Sequence, residues 1–349
     1  MLPALLVAAA VAITGKAVKD GIDGKRMSDE AERLERRARR RHNEAMESME
    51  ECVKGTEEKL SDLGTLQIKI GESFGTFKEL ADNLLEKINA AGVSDGKTVE
   101  VPIESYKLKR INGVVISVKE FMGLAAGSSI AAAAAGYAVW GGVMMLGTAS
   151  TGTAIATLSG VAATNATLAA IGGGSLAAGG LGIAGGTAIL GGIVAAPVLA
   201  IAGWAYKSKA KDSLEAAEDY EYEVDKLVKK SESIIDKHEN IQEYILRVHK
   251  ELHRLNILFT PFIDKLQKAC KMSDAEIERA SDSILRDITN GYMLAAVLAD
   301  IISTPLFVMK KDKDKDTGKE IIVPAQDENG VMKPNTSKMN VALKAAQEY

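Results

Sequence analysis

Cysteine is almost missing from this sequence. Cys52 and Cys270 stand far apart in 349 residues, with no second cysteine near either. That excludes the paired spacing of a zinc site or redox motif, and so few thiols suit a reducing compartment, where both read as small, buried or half-exposed residues. Catalytic sets are missing too. No Ser/His/Asp or Cys/His arrangement for nucleophilic catalysis emerges, and no phosphate loop is expected, so the chain does not read as an enzyme. The N-terminus lacks a basic leader: residues 1 to 15 (MLPALLVAAAVAITG) are apolar and the first cation is Lys16. Ala10-Val11-Ala12 resembles a cleavage site, yet a secretory signal carries Lys or Arg before its apolar stretch. As a helix the stretch reaches only about 22 Å, short of a bilayer core of roughly 30 Å.

The largest absence is of charge. The formal net charge of −4 describes an ordinary protein, but from Phe121 to Tyr206 no Asp, Glu, Lys or Arg occurs, and 19 of the 32 glycines fall in that run. Met122 to Gly147 reaches about 39 Å as a helix and Thr187 to Tyr206 about 30 Å, so each is expected to cross a bilayer as a transmembrane helix. Between them Gly, Ala, Ser and Thr dominate. Gly174, Ser175, Gly179, Gly182 and Gly186 supply the small residues of a glycine zipper, Ser175/Gly179 and Gly182/Gly186 at four-residue spacing. Such residues allow the close backbone approach on which association in lipid depends. Trp204 and Tyr206 suit an interfacial anchor, whereas Trp140 lies inside the first expected span. Lys107, Lys109, Arg110 and Lys119 precede the run and Lys207, Lys209 and Lys211 follow it. The positive-inside rule keeps both ends cytoplasmic and makes the number of crossings even, most simply a hairpin.

Flanking this run are two polar helical arms. Ser28 can cap a helix over 28 to 92 whose apolar stripe runs Ala31, Leu34, Ala38, Ala45, Met49, Cys52, Leu60, Leu63, Ile70, Phe74, Phe77, Leu84 and Ile88, weakened at Gly55, Gly64, Gly71 and Gly75. Asp95-Gly96 and the Val99 to Ile103 stretch read as a turn and a short extended piece. Residues 213 to 260 carry a coiled-coil heptad, with Ala217, Val224, Ile245, Leu252 and Phe259 at one position and Tyr220, Leu227, Ile234, Ile241, Val248 and Leu255 at the other. Ser231 and His238 interrupt its seam. Pro261 ends or kinks that helix, and Ser273 with Glu276 forms a capping box opening another that runs towards Thr304. Beyond it, Glu320 to Pro324 and Val331 to Pro334 flank Asn329-Gly330, a hairpin signal in a small, partly mobile tail.

The expected fold is mostly α: an elongated bundle of coiled-coil arms with a glycine-rich, apolar, membrane-inserting hairpin and a small β or irregular C-terminal tail. Its parts are an apolar segment (1–24), helical arm one (25–120), the uncharged zipper (121–206), helical arm two (207–304) and a polar tail (305–349). Four patterns of residues invite a chemical reading. The dinucleotide-like Gly180-Leu-Gly182-Ile-Ala-Gly185 lacks a preceding strand. His249 and His253 are four apart on a helix but outside the zincin order, and read as a solvated face; His238, in the seam, is the one candidate pH trigger. Asp312, Asp314 and Asp316 echo a calcium loop, with Gly318 one place late and Val323 where the final Glu belongs. Arg33, Arg36, Arg37, Arg39, Arg40 and Arg41 form the strongest cationic run, interspersed with Glu32, Glu35 and Glu44. An ion-paired helix face and contact with anionic lipid both fit it, and Lys207 and Lys209 join it as lipid-contacting candidates. Without interleaved aromatics, nucleic acid is not the expected partner. No cofactor or metal is expected.

The stretch TGTAIATLSGVAATNATLAAIGGGSLAAGGLGIAGGTAILGGIVAAPVLAIAGW (151 to 204) resembles the glycine-zipper block that a widespread set of largely uncharacterised bacterial proteins carries between helical arms. The resemblance implies membrane association and brings no catalytic residues. In layout alone, an apolar insert between long amphipathic helices, the chain is also similar to apolipoprotein L and to α-helical pore-forming toxins of the cytolysin A kind. The expected function is therefore a membrane-inserting, oligomerising pore-forming or membrane-disrupting effector, toxin-like and suited to bacterial defence or competition. Its partners would be an anionic bilayer and further copies of itself. The alternative is a non-toxic, membrane-anchored adaptor that recruits a protein through helices 213 to 260. Either is made in the cytoplasm and membrane-associated with both arms on the cytoplasmic side; secretion stays open.

Overall fold

A computed structural model describes residues 21–90, 101–124, 134–139, 213–313 and 320–349. They are mostly helical: α1 (Gly21–Ala90), α2 (Ser105–Leu124), α3 (Ser213–Ala269), α4 (Asp274–Ser303) and α5 (Thr336–Ala346), with strands β1 (Met309–Lys313) and β2 (Glu320–Pro324). The zipper residues Gly174, Ser175, Gly179, Gly182 and Gly186, the anchors Trp204 and Tyr206, the cations Lys207 and Lys209, and the apolar N-terminal segment lie outside the described residues.

No proline occurs between Gly21 and Ala90, and Glu, Lys, Arg, Ala and Leu dominate, so nothing interrupts the 70 residues of α1. The helix already runs at Ser28, which is therefore an interior residue rather than a cap. The expected stripe is buried at Ala31, Ala38, Met49, Leu60, Leu63, Ile70, Phe74, Phe77, Leu84 and Ile88; Leu34, Ala45 and Cys52 at its edge are half-buried. In α3 the heptad is buried at all of its apolar positions except the half-buried Tyr220, and Ser231 and His238 are buried with it. α3 also continues through Pro261, contrary to the expected break. Pro261 faces solvent next to exposed Ile257, so the ring clears the core and the carbonyl it leaves unpaired is open to water.

The chain divides into two compact units. The described part of the first is α1 up to Lys54 and α3 up to His238, which run parallel: Arg37 pairs with Glu221, Arg41 with Asp225, and the Cys52 thiol approaches the Ile235 carbonyl. Here the seam that would recruit a partner in an adaptor is occupied by the chain's own α1.

The second unit holds four helices in alternating direction. α1 and α3 again run parallel, with the Gln242 side-chain amide donating to Thr56 and Phe74 against Phe259. α2 returns antiparallel to α1, since Gly71 faces Val118 and Gly75 faces Val115. α4 returns along α3, with Lys265 bridging to Asp287 at 2.7 Å. At its start the Ser273 amide donates to the Glu276 carboxylate at 2.8 Å, the expected capping box. The centre is aromatic: Phe77 lies 5.3 Å from Phe259 and 5.0 Å from Tyr292, ring centre to ring centre. It is admitted by Gly291, where a Cβ would strike the Phe77 ring.

The tail pairs differently from expectation. Glu320–Pro324 aligns antiparallel with Met309–Lys313, Met309 opposite Pro324 and Lys313 opposite Glu320, not with the Val331 stretch. Asn329-Gly330 does form a turn, closed by the bridge Gln326 to Met332, with Gly330 at φ 82 and the Asp327 carboxylate accepting from the amides of Asn329 and Val331. α5, which the sequence reading omits, docks on α3: Arg247 donates to Asn340, and Arg254 to the Ala346 carbonyl.

Candidate membrane-facing site

α2 leads into the uncharged run. Its cationic first half carries Lys107, Lys109 and Arg110, and Arg110 pairs with Asp300, the one charge in the apolar end of α4, tying α2 to α4. The apolar face of α2, Ile111, Val114, Val118 and Phe121, is buried. Gly71 on α1 lets it approach: a Cβ there would come within 2.6 Å of a Val118 methyl.

α2 stops at Leu124, and residues 134–139 form a short helical piece lying back on the same unit. Tyr137 is fully buried. Its hydroxyl lies 2.9 Å from Ser117 Oγ, and the Ser117 hydroxyl in turn reaches the Val114 carbonyl at 2.9 Å. Each hydroxyl has one proton, so Ser117 donates to Val114 and Tyr137 donates to Ser117. The Phe121 and Tyr137 rings meet edge to face at 5.2 Å. Burial pushes the Tyr137 phenol well above its ordinary pKa. On α1, Gly64 faces the Ala134 backbone carbonyl so closely that a Cβ could not be accommodated.

This geometry corrects the first expected span. In one straight helix Ser117 and Tyr137 would stand about 30 Å apart, at 1.5 Å per residue, yet their hydroxyls share a hydrogen bond. Residues 134–139 therefore do not continue α2 as one straight helix. No helix among the described residues is long and apolar enough to cross a membrane, so the transmembrane helix expected from Met122 to Gly147 is not supported: its described residues are the end of α2 and the piece 134–139, whose Tyr137 is buried on the helical unit. The second expected span, Thr187 to Tyr206, lies outside the described residues.

The arginine run is ion-paired. Arg36 meets Glu32 at 3.1 Å and Arg40 meets Glu44 at 3.5 Å along α1, while Arg37 and Arg41 reach across to Glu221 and Asp225 of α3. Arg39 lies near the half-buried Tyr220. Arg36 and Arg40 remain 68% and 73% exposed, so their guanidiniums can still meet an anionic surface.

His249 and His253 lie on one face of α3 with rings nearly parallel, 6.2 Å apart. His249 is half-buried, and burial followed by the neighbouring His253 holds it below its usual pKa, with Asp62 opposing. Among the described residues no group of three His, Cys, Asp or Glu side chains could hold a metal ion. Contrary to the reading above, Ala91 to Thr98 (AGVSDGKT) does end in Gly-Lys-Thr. A phosphate loop joins a strand to a helix, however, and here α1 precedes the motif while residues 101–104 are not helical.

What sequence reasoning missed is the cluster Gly64, Ser117, Phe121 and Tyr137. The available signal was the lone tyrosine in an alanine run, with no acid or base nearby to explain it. Comparison with family models, curated proteins and solved structures finds no match.

Proposed function

We propose that the protein is a membrane-disrupting effector in which the uncharged residues from Trp140 to Tyr206 meet an anionic bilayer and self-associate through Gly174, Ser175, Gly179, Gly182 and Gly186. The observation that carries this reading is the charge-free run itself, glycine-rich and bounded by Glu120 and Lys207. So many small residues give little lipophilicity per residue, which favours helix association in lipid over plain anchoring. The exposed Arg36 and Arg40 supply attraction to anionic head groups.

The test is dye release from phosphatidylcholine–phosphatidylglycerol vesicles. Full-length protein is expected to bind and release dye, and deletion of 140–206, which spares the buried Tyr137, to abolish both. Gly182→Leu with Gly186→Leu should lower release while leaving binding intact. Intact vesicles with no bound full-length protein would sink the proposal. A helical adaptor would have to recruit its partner through the rest of α3, where Tyr222, Leu246, Ile257 and Leu258 are exposed, because the heptad seam is engaged within the chain. It should bind vesicles without releasing dye.

A further inference from the structure

Residues 134–139 sit in a prepared seat. Gly64 has no side chain where the Ala134 carbonyl lies, the Phe121 ring meets Tyr137 edge to face, and Ser117 offers the hydroxyl that Tyr137 needs once buried. A phenol without such a partner would be costly to bury, so seat and occupant are matched. The piece is nevertheless thinly held. Its buried side chains are Ala134, Ala135, Tyr137, Ala138 and Val139, of which only Tyr137 and Val139 carry more than a methyl group. Its seat belongs to a unit with a much larger aromatic core, which need not come apart when the piece leaves. Tyrosine, with an apolar ring and a polar tip, is also a residue that membrane interfaces favour. While buried on α1 and α2 it cannot serve there.

We infer that residues 134–139 act as an intramolecular latch: Tyr137, seated on Ser117 and Phe121 while Ala134 lies against Gly64, holds the start of the uncharged run on the helical unit, and engagement of the membrane requires its release. This rests on the membrane-disrupting reading and specifies its control. The device is autoinhibitory, so weakening the seat increases activity, the reverse of what damage to a functional element does.

The test uses the full-length chain, phosphatidylcholine–phosphatidylglycerol vesicles and two readouts, dye release and amide hydrogen exchange of 134–139. Gly64→Val fills the seat. It is expected to speed exchange of 134–139 at least tenfold without lipid, to leave exchange of α1 and α3 near wild type, and to speed dye release about tenfold. Tyr137→Ala, which removes the occupant without crowding α1, should do the same and covers the case in which Gly64→Val fails to fold. Ile284→Val, a core change in α4 away from the seat, should not accelerate release. In wild-type protein, protection of 134–139 should vanish when vesicles are added. Release that stays at the wild-type rate although the variants expose 134–139 overturns the latch and leaves the membrane reading standing. Wild-type release with 134–139 still protected overturns it equally. If neither wild type nor variants bind vesicles, the membrane reading fails and the latch with it, even where exchange has shown the seat to open.

Discussion

The paired stretches 21–54 and 213–238 and the four-helix unit draw on the same two long helices, yet their interiors differ in kind. The pair buries Ala31, Ala38, Met49, Val53, Ala217, Val224, Leu227 and Ile234, and admits Ser231 and His238 into the seam. The other unit packs Phe74, Phe77, Phe259 and Tyr292 against one another and covers them with two further helices. Among the described residues the pair buries one stripe per helix, and each of these residues removes less apolar surface from water than one in the aromatic unit, so opening is expected to cost less. One continuous heptad can thus carry small and polar seam residues along one stretch and an aromatic cluster along another.

Four measurements can break or sharpen this contrast. Phe77→Ala should have the largest effect, about 3–5 kcal/mol in urea unfolding, because it empties the centre of the aromatic cluster; a loss below about 1 kcal/mol would refute the ranking of the two interiors. Met49→Ala should cost roughly 2 kcal/mol, the low end for such truncations. Its effect should appear as faster hydrogen exchange in 21–54 and 213–238, with the four-helix transition unmoved. Alkaline titration probes the four-helix unit through Tyr292. Burial, aided by the negative charge of Asp82, pushes the Tyr292 phenol up to about 12 from 10. The unfolded chain therefore loses that proton first, and stability is full below pH 10 and falls as pH rises from about 10 to about 12. Tyr292→Phe should flatten that fall in a series of urea midpoints. Smallest is the Arg41 and Asp225 pair, both substantially exposed. A double-mutant cycle with alanine should return about 0.2–1 kcal/mol, diminished in 1 M salt.

Much of the helical framework was legible in the sequence, because a heptad is fixed by backbone geometry and shows wherever one face is buried, as from Val224 to Phe259. Signals that depend on a neighbour were not legible. Gly64, Gly71 and Gly291 read as weak points in their helices or pass unremarked, whereas each marks a place where another element comes close. Pro261 reads as a break until its solvent-facing position is known. The pairing of Glu320–Pro324 with Met309–Lys313 is hidden by the charges of the first strand, which carry no alternation. Residues 134–139 were the hardest: three alanines, a glycine, a tyrosine and a valine carry no usable period, and only the hydroxyl of Ser117 on a distant turn reveals where Tyr137 goes.

The parallel course of α1 and α3 has a consequence for the birth of the chain. Contacts between them join residues 182 to 186 positions apart, as from Phe77 to Phe259 and from Thr56 to Gln242. At about 5–20 residues per second, α1 leaves the ribosome roughly 10–40 s before the partner that covers its stripe, and the whole uncharged run emerges in between. During that interval the stripe of α1 waits without the helix that covers it, and transiently exposed apolar surface of this kind is where aggregation begins.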